Sequence, residues 1–127
     1  MTNKISIIMT SGNRESLQMA AMIASVGAVS GNAVRVLLSM NAITYFTKGN
    51  QDVAPAEGEC GKRLEKAPHF KTLIEQAVEY GDAEIVPCPM AMDVFGLDEA
   101  DMESYIKAPM GLTKFLDLAQ DGQVWSF

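Results

Sequence analysis

The chain has 127 residues, of which 48% are apolar and 20% are charged, and its formal net charge is −6. This length and composition are typical of one globular domain over residues 1–127, and they exclude a disordered or collagen-like chain. An acidic chain repels phosphate backbones, so we expect no nucleic-acid partner. We also expect no signal peptide and no membrane span, because no apolar run approaches the roughly 20 residues that a bilayer requires.

The first part of the chain predicts two strands that flank a long helix. Lys4–Met9 is short, rich in isoleucine and followed by a turn sequence, which is typical of a strand. Arg14–Val29 has apolar residues at helical spacing, and Asn13 before it is a suitable N-cap. The aliphatic run in Ala33–Ser39 predicts a second buried strand, and Met40–Phe46 is predicted to form a short helix or turn.

The rest of the chain continues this alternation after a long loop. Lys48–Arg63 contains three glycines and a proline, which predicts a surface loop, and loops of this length inside a domain are often functional. The remaining elements are predicted in the order helix His69–Tyr80, strand Ala83–Val86, helix Pro89–Phe95, turn Asp98–Tyr105, strand Ile106–Ala108, helix Gly111–Ala119 and strand Gln123–Phe127.

Alternating strands and helices predict an α/β domain with about five mainly parallel strands and helices on both faces of the sheet. Ligands of such sheets bind beyond the carboxyl ends of the strands. In this sequence those positions are Thr10–Arg14, Met40–Phe46, Cys88–Gly96 and the residues around Pro109. We therefore look for chemistry in these segments first.

Reactive side chains are few, since the chain has two cysteines, Cys60 and Cys88, and one histidine, His69. Two cysteines in a chain without a signal peptide do not predict a disulfide framework. One histidine and no CxxC motif also argue against a closed zinc site, so we expect neither a metal nor an organic cofactor. His69 follows a proline at a helix start and has no visible carboxylate partner, so we expect it to be a bystander.

Cys88 is predicted to stand where the third strand ends and the next helix begins. Proline suits the first turn of a helix, so Pro89 places Cys88 near the N-cap. Free N–H groups and a partial positive charge at that end favour a thiolate, which is the nucleophile in sulfur chemistry. The alternative interpretation is a small buried residue in an apolar turn, because free cysteine is among the most buried residue types.

Cys60 is flanked by glycines in the segment Glu57–Arg63, which predicts an exposed site. Two bases in this segment favour its thiolate and two acids oppose it. Cys60 is therefore either a second sulfur carrier or resolving thiol, or an incidental loop cysteine, and the mixed charges favour the incidental role.

Two other features have a functional and a structural interpretation. Backbone N–H groups of Thr10–Arg14 are suited to cradle an anion at the start of the first long helix. The segment matches neither a Walker motif nor GxGxxG, which favours a plain strand-to-helix turn. Met90 and Met92 offer soft sulfur ligands for Cu(I), but the methionines of this chain lie mostly in apolar segments, which favours a place in the core.

The string Val86–Leu97 resembles the DsrE/DsrF-like sulfur-relay family, in which a cysteine ends a strand and a Met-Asp-hydrophobic-hydrophobic-Gly-hydrophobic string follows. A looser resemblance covers the opening strand, the first helix, the segment Tyr45–Gly49 and the last strand. It implies a DsrE-like fold of about five strands and assembly as a homotrimer or homohexamer. It also implies that Cys88 receives sulfur as a persulfide. Pro89 is a variation that leaves one fewer N–H to stabilise a thiolate.

The resulting hypothesis is a cytoplasmic sulfur carrier or sulfurtransferase that uses a persulfide on Cys88. It exchanges sulfur with donor and acceptor proteins or small thiols by thiol–persulfide exchange. Met90, Met92 and Phe95 are expected to shield the persulfide from water, and Asp93 to position the turn.

Two rival hypotheses use the same fold. The first is a non-catalytic oligomeric binding module with its ligand near Thr10–Arg14 and Met40–Phe46. The second is a thiol redox sensor in which Cys60 and Cys88 form a disulfide.

Overall fold

A four-stranded parallel sheet runs through the part of the chain that the computed structural model describes, residues 3–127. Its strands are β1 (Lys4–Met9), β2 (Ala33–Leu38), β3 (Glu84–Pro87) and β4 (Gln123–Ser126). Their spatial order is β3-β2-β1-β4, so β2 and β1 are central and β3 and β4 are the edges.

One row of paired residues crosses the whole sheet. Ile7 of β1 pairs with Val36 of β2 and with Trp125 of β4, and Val36 pairs with Ile85 of β3. Paired residues of parallel strands share a face, and three of the four are fully buried. Trp125, at the β4 edge, stays partly exposed, so the core ends before it reaches this edge of the sheet.

The helices are α1 (Arg14–Val29), α2 (Glu59–Lys62), α3 (Phe70–Gly81), α4 (Pro89–Phe95) and α5 (Leu112–Leu118), with 3₁₀ segments at Met40–Phe46, Leu64–Lys66 and Glu99–Asp101. The crossovers through α1 and α3 move along the sheet in one direction, and these two helices pack against each other. The crossover through α5 returns in the opposite direction. Because such crossovers are right-handed, α5 covers the other face.

Local capping explains where the two long helices begin and end. The Asn13 side chain accepts a hydrogen bond from the Ser16 N–H at 2.8 Å and caps α1, which ends before Gly31 at φ +96°. His69 caps α3 by accepting the Lys71 N–H at its Nδ1 atom, 3.0 Å away. The predicted helix over Arg14–Val29 is confirmed. The helix predicted over His69–Tyr80 is α3, which begins and ends one residue later.

The predicted fold class is confirmed, but the prediction of a fifth strand over Ile106–Ala108 is wrong. This segment follows the outer edge of β3, where the Lys107 N–H donates to the Ile85 carbonyl at 2.8 Å and the Met110 N–H to the Pro87 carbonyl at 3.1 Å. Strand pairing needs a donor at every second residue, and Pro109 has none to offer. The segment therefore covers the β3 edge without joining the sheet.

The segment Lys48–Arg63 is largely irregular, as predicted, apart from the single turn of α2. Among residues 3–127, none of the helices combines the length and the apolar character needed to cross a bilayer.

Candidate functional site

Cys88 is the N-cap residue of α4 and follows β3 directly. Its N–H donates to the Leu38 carbonyl of β2 at 2.8 Å, and its carbonyl accepts the Met92 N–H at 3.0 Å. The side chain caps no helix N–H, and the residue is 8% exposed. The backbone on both sides therefore fixes Cys88 at the carboxyl edge of the sheet, where the sequence places it.

A cavity of about 340 Å³ opens at this edge, over the carboxyl ends of three strands. Its lining comes from the residues after β1, the residues after β2 and helix α4: Thr10, Met40, Asn41, Met90, Val94 and Phe95. Four of the five apolar lining residues are at least 40% exposed and the fifth, Ala91, is buried, whereas Thr10 and Asn41 bring the polar groups. The cavity is therefore an open apolar pocket with polar atoms at one side, and it lies beside the start of α4.

The residues predicted to support Cys88 divide between the cavity and the core. Met90 and Phe95 line the cavity and are largely exposed, whereas Met92 is buried in the core. Asp93 is exposed on α4, and its carbonyl accepts the Gly96 N–H at 3.2 Å where the helix ends. Only Met90 and Phe95 are thus placed to cover a group bound in the cavity.

The turn after β1 has an internal acceptor for its N–H groups. The N–H groups of Thr10 and Ser11 donate to the Phe127 carbonyl at 2.7 and 3.1 Å, and the Arg14 N–H donates to the Pro55 carbonyl at 2.9 Å. These donors hold the end of β4 and the long loop, so they are not free to cradle an anion. The structure supports the interpretation of this segment as a strand-to-helix turn.

Cys60 lies in α2 and is exposed, and both cysteines are free thiols. The start of α1 holds the loop around it. The Glu15 carboxylate accepts the N–H groups of Glu57 and Gly58, the latter at 2.7 Å, and the Arg14 Nη1 atom donates to the Gly61 carbonyl at 2.8 Å. A Cβ atom on Gly61 would overlap the Glu15 carboxylate, so this side chain would have to move if any other residue stood here.

We expect acidification to loosen this loop. The backbone hydrogen bond from Glu57, together with the one from Gly58, holds the pKa of Glu15 below its usual value. A carboxylate with a lowered pKa contributes stability above its usual pKa and loses it as the pH falls through the lowered value. The amide protection factor of Gly58, measured by hydrogen exchange, should fall between about pH 6 and about pH 3.

The Glu15→Ala variant should show the low protection factor at both pH values. Glu65→Ala, which removes an exposed carboxylate outside these contacts, should behave as the unmodified protein does. Unchanged protection of Gly58 at low pH in the unmodified protein would contradict this role of Glu15.

A cluster of contacts around a buried lysine was not predicted. Lys71 of α3 is 1% exposed, and its Nζ atom donates to the Glu103 carboxylate at 2.6 Å, the Asn50 carbonyl at 2.7 Å and the Thr47 carbonyl at 3.4 Å. These contacts fix the chain just after the 3₁₀ segment that begins at the cavity. The signal was present, because Lys71 lies three residues before the buried Ile74 on the same helix face.

Among the described residues, 3–127, no three His, Cys, Asp or Glu side chains are grouped as metal ligands would be.

Comparison with known proteins identifies a family that the chain matches. A family model described as the DsrE/DsrF-like family matches residues 3–125. No curated protein matches the chain significantly.

Three solved structures share the fold. The ychN protein from E. coli is 15% identical with a TM-score of 0.70, and the match covers 100% of both chains. The protein of unknown function MTH1491 from Methanobacterium thermoautotrophicum is 7% identical with a TM-score of 0.70, and the match covers 98% of this chain and 99% of that one. The conserved protein of unknown function BT1422 from Bacteroides thetaiotaomicron is 18% identical with a TM-score of 0.64, and the match covers 98% and 95%. At these identities the likeness establishes the fold.

Proposed function

We propose, from the premise that the chain belongs to the DsrE/DsrF-like family, that it carries sulfur as a persulfide on Cys88 and delivers it to an acceptor thiol. The observation that carries the proposal is the position of Cys88. It occupies the N-cap position of α4 at the carboxyl edge of the sheet, directly before the helix that lines the cavity. Chemistry in open α/β sheets gathers at this edge.

The reaction consists of two thiol–persulfide exchanges. In the first, the Cys88 thiolate attacks the outer sulfur of a donor persulfide. A new S–S bond forms at Cys88, the S–S bond of the donor breaks, and the donor leaves as a thiolate. In the second, an acceptor thiolate attacks the outer sulfur and releases the Cys88 thiolate. Neither exchange changes the total oxidation state, so no further oxidant or reductant takes part.

The cavity lies against α4, the helix that Cys88 precedes, and we place the outer sulfur there. The exposed rim of Met90, Phe95 and Met40 is apolar, so it keeps water away from a persulfide while leaving the cavity open to a second thiol. Cys88 itself is nearly covered, which limits reaction with thiols that do not enter the cavity. Sulfur thus moves only to partners that fit against this rim.

The proposal includes the partners and the setting. Donor and acceptor are proteins or small thiols that bring a sulfur atom to the cavity, and the chain assembles as the homotrimer or homohexamer that the family resemblance implies. A cytoplasmic setting suits it, since thiols there are kept reduced.

Intact mass spectrometry after incubation with polysulfide tests the proposal. Because Cys60 is exposed and reacts with polysulfide on its own, the comparison is made in a Cys60→Ser background. Cys60→Ser should gain one sulfur atom, about 32 Da, and the double variant Cys60→Ser, Cys88→Ser should gain none. An excess of a small thiol should then return the loaded protein to its original mass.

Two results would overturn the proposal: a Cys60→Ser protein that gains no sulfur, or a double variant that gains as much. The redox-sensor hypothesis needs a separate sample: a non-reducing peptide map of the unmodified protein after mild oxidation should then show a Cys60–Cys88 disulfide.

A second candidate is a non-catalytic binding module, and the cavity itself favours it, because Cys88 is not among the lining residues. A binding module tolerates Cys88→Ala and gains thermal stability with a small ligand. The Asn41→Ala variant, which removes a polar lining group, should abolish that gain.

A further inference from the structure

We propose that the outer edge of β4 and the apolar groove beside it bind the same surface of a second copy of the chain across a two-fold axis. β4 is hydrogen-bonded to β1 on one side only. Among residues 3–127, nothing pairs with its other side, and all four of its residues, Gln123–Ser126, are exposed. An unpaired edge of this kind presents backbone donors and acceptors to any strand that approaches.

The two edges of the sheet differ in a way that points to an interface. Backbone hydrogen bonds from Lys107 and Met110 cover the β3 edge. The β4 edge has no such cover, and its sequence, Gln-Val-Trp-Ser, lacks the charges and prolines with which proteins block unwanted pairing. Covering one edge while leaving the other open fits a strand that pairs with a partner.

A groove of about 370 Å³ runs beside this edge, between β4, β1 and the outer face of α1. All of its lining side chains are apolar: Ile5, Met19, Met22, Ile23, Val26 and Trp125. Met19, Met22 and Val26 are between 43% and 68% exposed, far more than a core position. An uncharged surface of this kind on a chain with a net charge of −6 marks the region where a second acidic chain approaches with least repulsion.

A second copy of the chain supplies both a strand that pairs with the β4 edge and an apolar surface that covers the groove. An antiparallel pair of β4 strands satisfies the donors and acceptors of both edges, since such a pair is self-complementary. Trp125 lies on the α1 face of the sheet, so the same pairing brings the two Trp125 side chains and the two α1 grooves to one face. The two sheets become continuous, and the helix layer above them closes over a shared apolar core.

Two-fold contacts of this kind generate assemblies with an even number of subunits. Of the homotrimer and the homohexamer proposed above, only the homohexamer contains such a contact, which joins two trimers that a separate contact builds. This inference does not depend on the sulfur chemistry proposed above, because the groove and β4 contain neither cysteine.

Sedimentation equilibrium and fluorescence test the interface together. We expect the unmodified protein to contain an even number of subunits, and Met22→Lys and Trp125→Lys to have half its mass with unchanged far-ultraviolet circular dichroism. Trp125 is the only tryptophan, so its emission reports this surface alone. In Met22→Lys the emission should shift to the red and be quenched more strongly by iodide.

Tyr80→Lys is the matched control, because it places the same charge at an exposed side chain on α3. It should have the mass and emission of the unmodified protein. A monomeric or odd-numbered unmodified protein, an unchanged mass in both groove variants, or an equal loss of mass in Tyr80→Lys would overturn the inference.

Discussion

Replacing Lys71 with methionine is expected to lower the free energy of unfolding by about 3–5 kcal/mol, the usual loss when one partner of a buried ion pair is removed. The Lys71 side chain is 2% exposed and that of Glu103 is 17% exposed, with 2.6 Å between the Nζ and Oε2 atoms. Methionine preserves the packing of the aliphatic stem but leaves the Glu103 carboxylate without its cation. The shift of the urea midpoint, with the slope m unchanged, measures the loss.

A second substitution separates the charge from the packing. In Lys71→Met, Glu103→Gln no buried charge remains, so we expect more than half of the lost stability to return. The carbonyl groups of Asn50 and Thr47 still lack their donor, which prevents full recovery.

An exposed ion pair provides the matched control. Lys62→Met removes one of the two basic partners of Glu59, whose side chain is 74% exposed, and such pairs contribute at most about 1 kcal/mol. An equal midpoint shift in Lys62→Met and Lys71→Met would contradict the role given to the buried pair.

The lysine cluster also shows where sequence reasoning stops. A helical pattern predicts that position 71 faces the core, but it does not identify Glu103, which lies more than thirty residues away and belongs to an irregular segment. The partner is set by how the chain after the 3₁₀ segment pairs with Met102, through a single antiparallel bridge at Thr47. Contacts of this range leave no local pattern in the chain.

The same distinction applies to the strands. β1, β2 and β3 follow from short aliphatic runs between turn residues, because local preference and burial agree there. Ile106–Ala108 has a similar composition, but its hydrogen bonds to β3 are three residues apart, so it lies along the sheet without joining it. The composition of Ile106–Ala108 predicted that it contacts the sheet. Only the spacing of its hydrogen bonds to β3 shows that it is not a strand.

Within the candidate site, the position of Cys88 followed from the sequence, whereas its surroundings did not. The order strand, Cys88, Pro89, helix is local and fixes the N-cap. That Met40 and Asn41 stand opposite α4, or that Phe127 occupies the donors after β1, depends on the strand order. The open edge at Trp125 depends on the strand order as well, since Gln123–Ser126 has no charge or proline that marks it as an edge strand.

Replacing Gly81 with alanine is expected to destabilise the protein by about 2 kcal/mol, although alanine is the better helix former. Gly81 ends α3 at its closest approach to α1. A Cβ atom there would lie 2.5 Å from the Ala28 carbonyl carbon and 2.5 Å from its Cβ atom. These atoms are the backbone and Cβ of Ala28, a buried residue of α1, and they do not yield as a flexible side chain does. Overpacking at the upper end of its usual 1–3 kcal/mol therefore exceeds the gain of about 1 kcal/mol from helix propensity.

Gly111→Ala is the control for the glycine change itself. The φ of Gly111 is −69°, which alanine adopts readily, and no atom lies within 4 Å of the added Cβ. Alanine there restricts the unfolded chain but is a poorer N-cap for α5, and these opposing effects leave a net change within about 1 kcal/mol. The urea midpoints of Gly81→Ala and Gly111→Ala measure the difference in stability between the two variants. If Gly81→Ala is as stable as Gly111→Ala, α1 and α3 can separate at little cost, and their close approach does not fix the helix layer above the sheet.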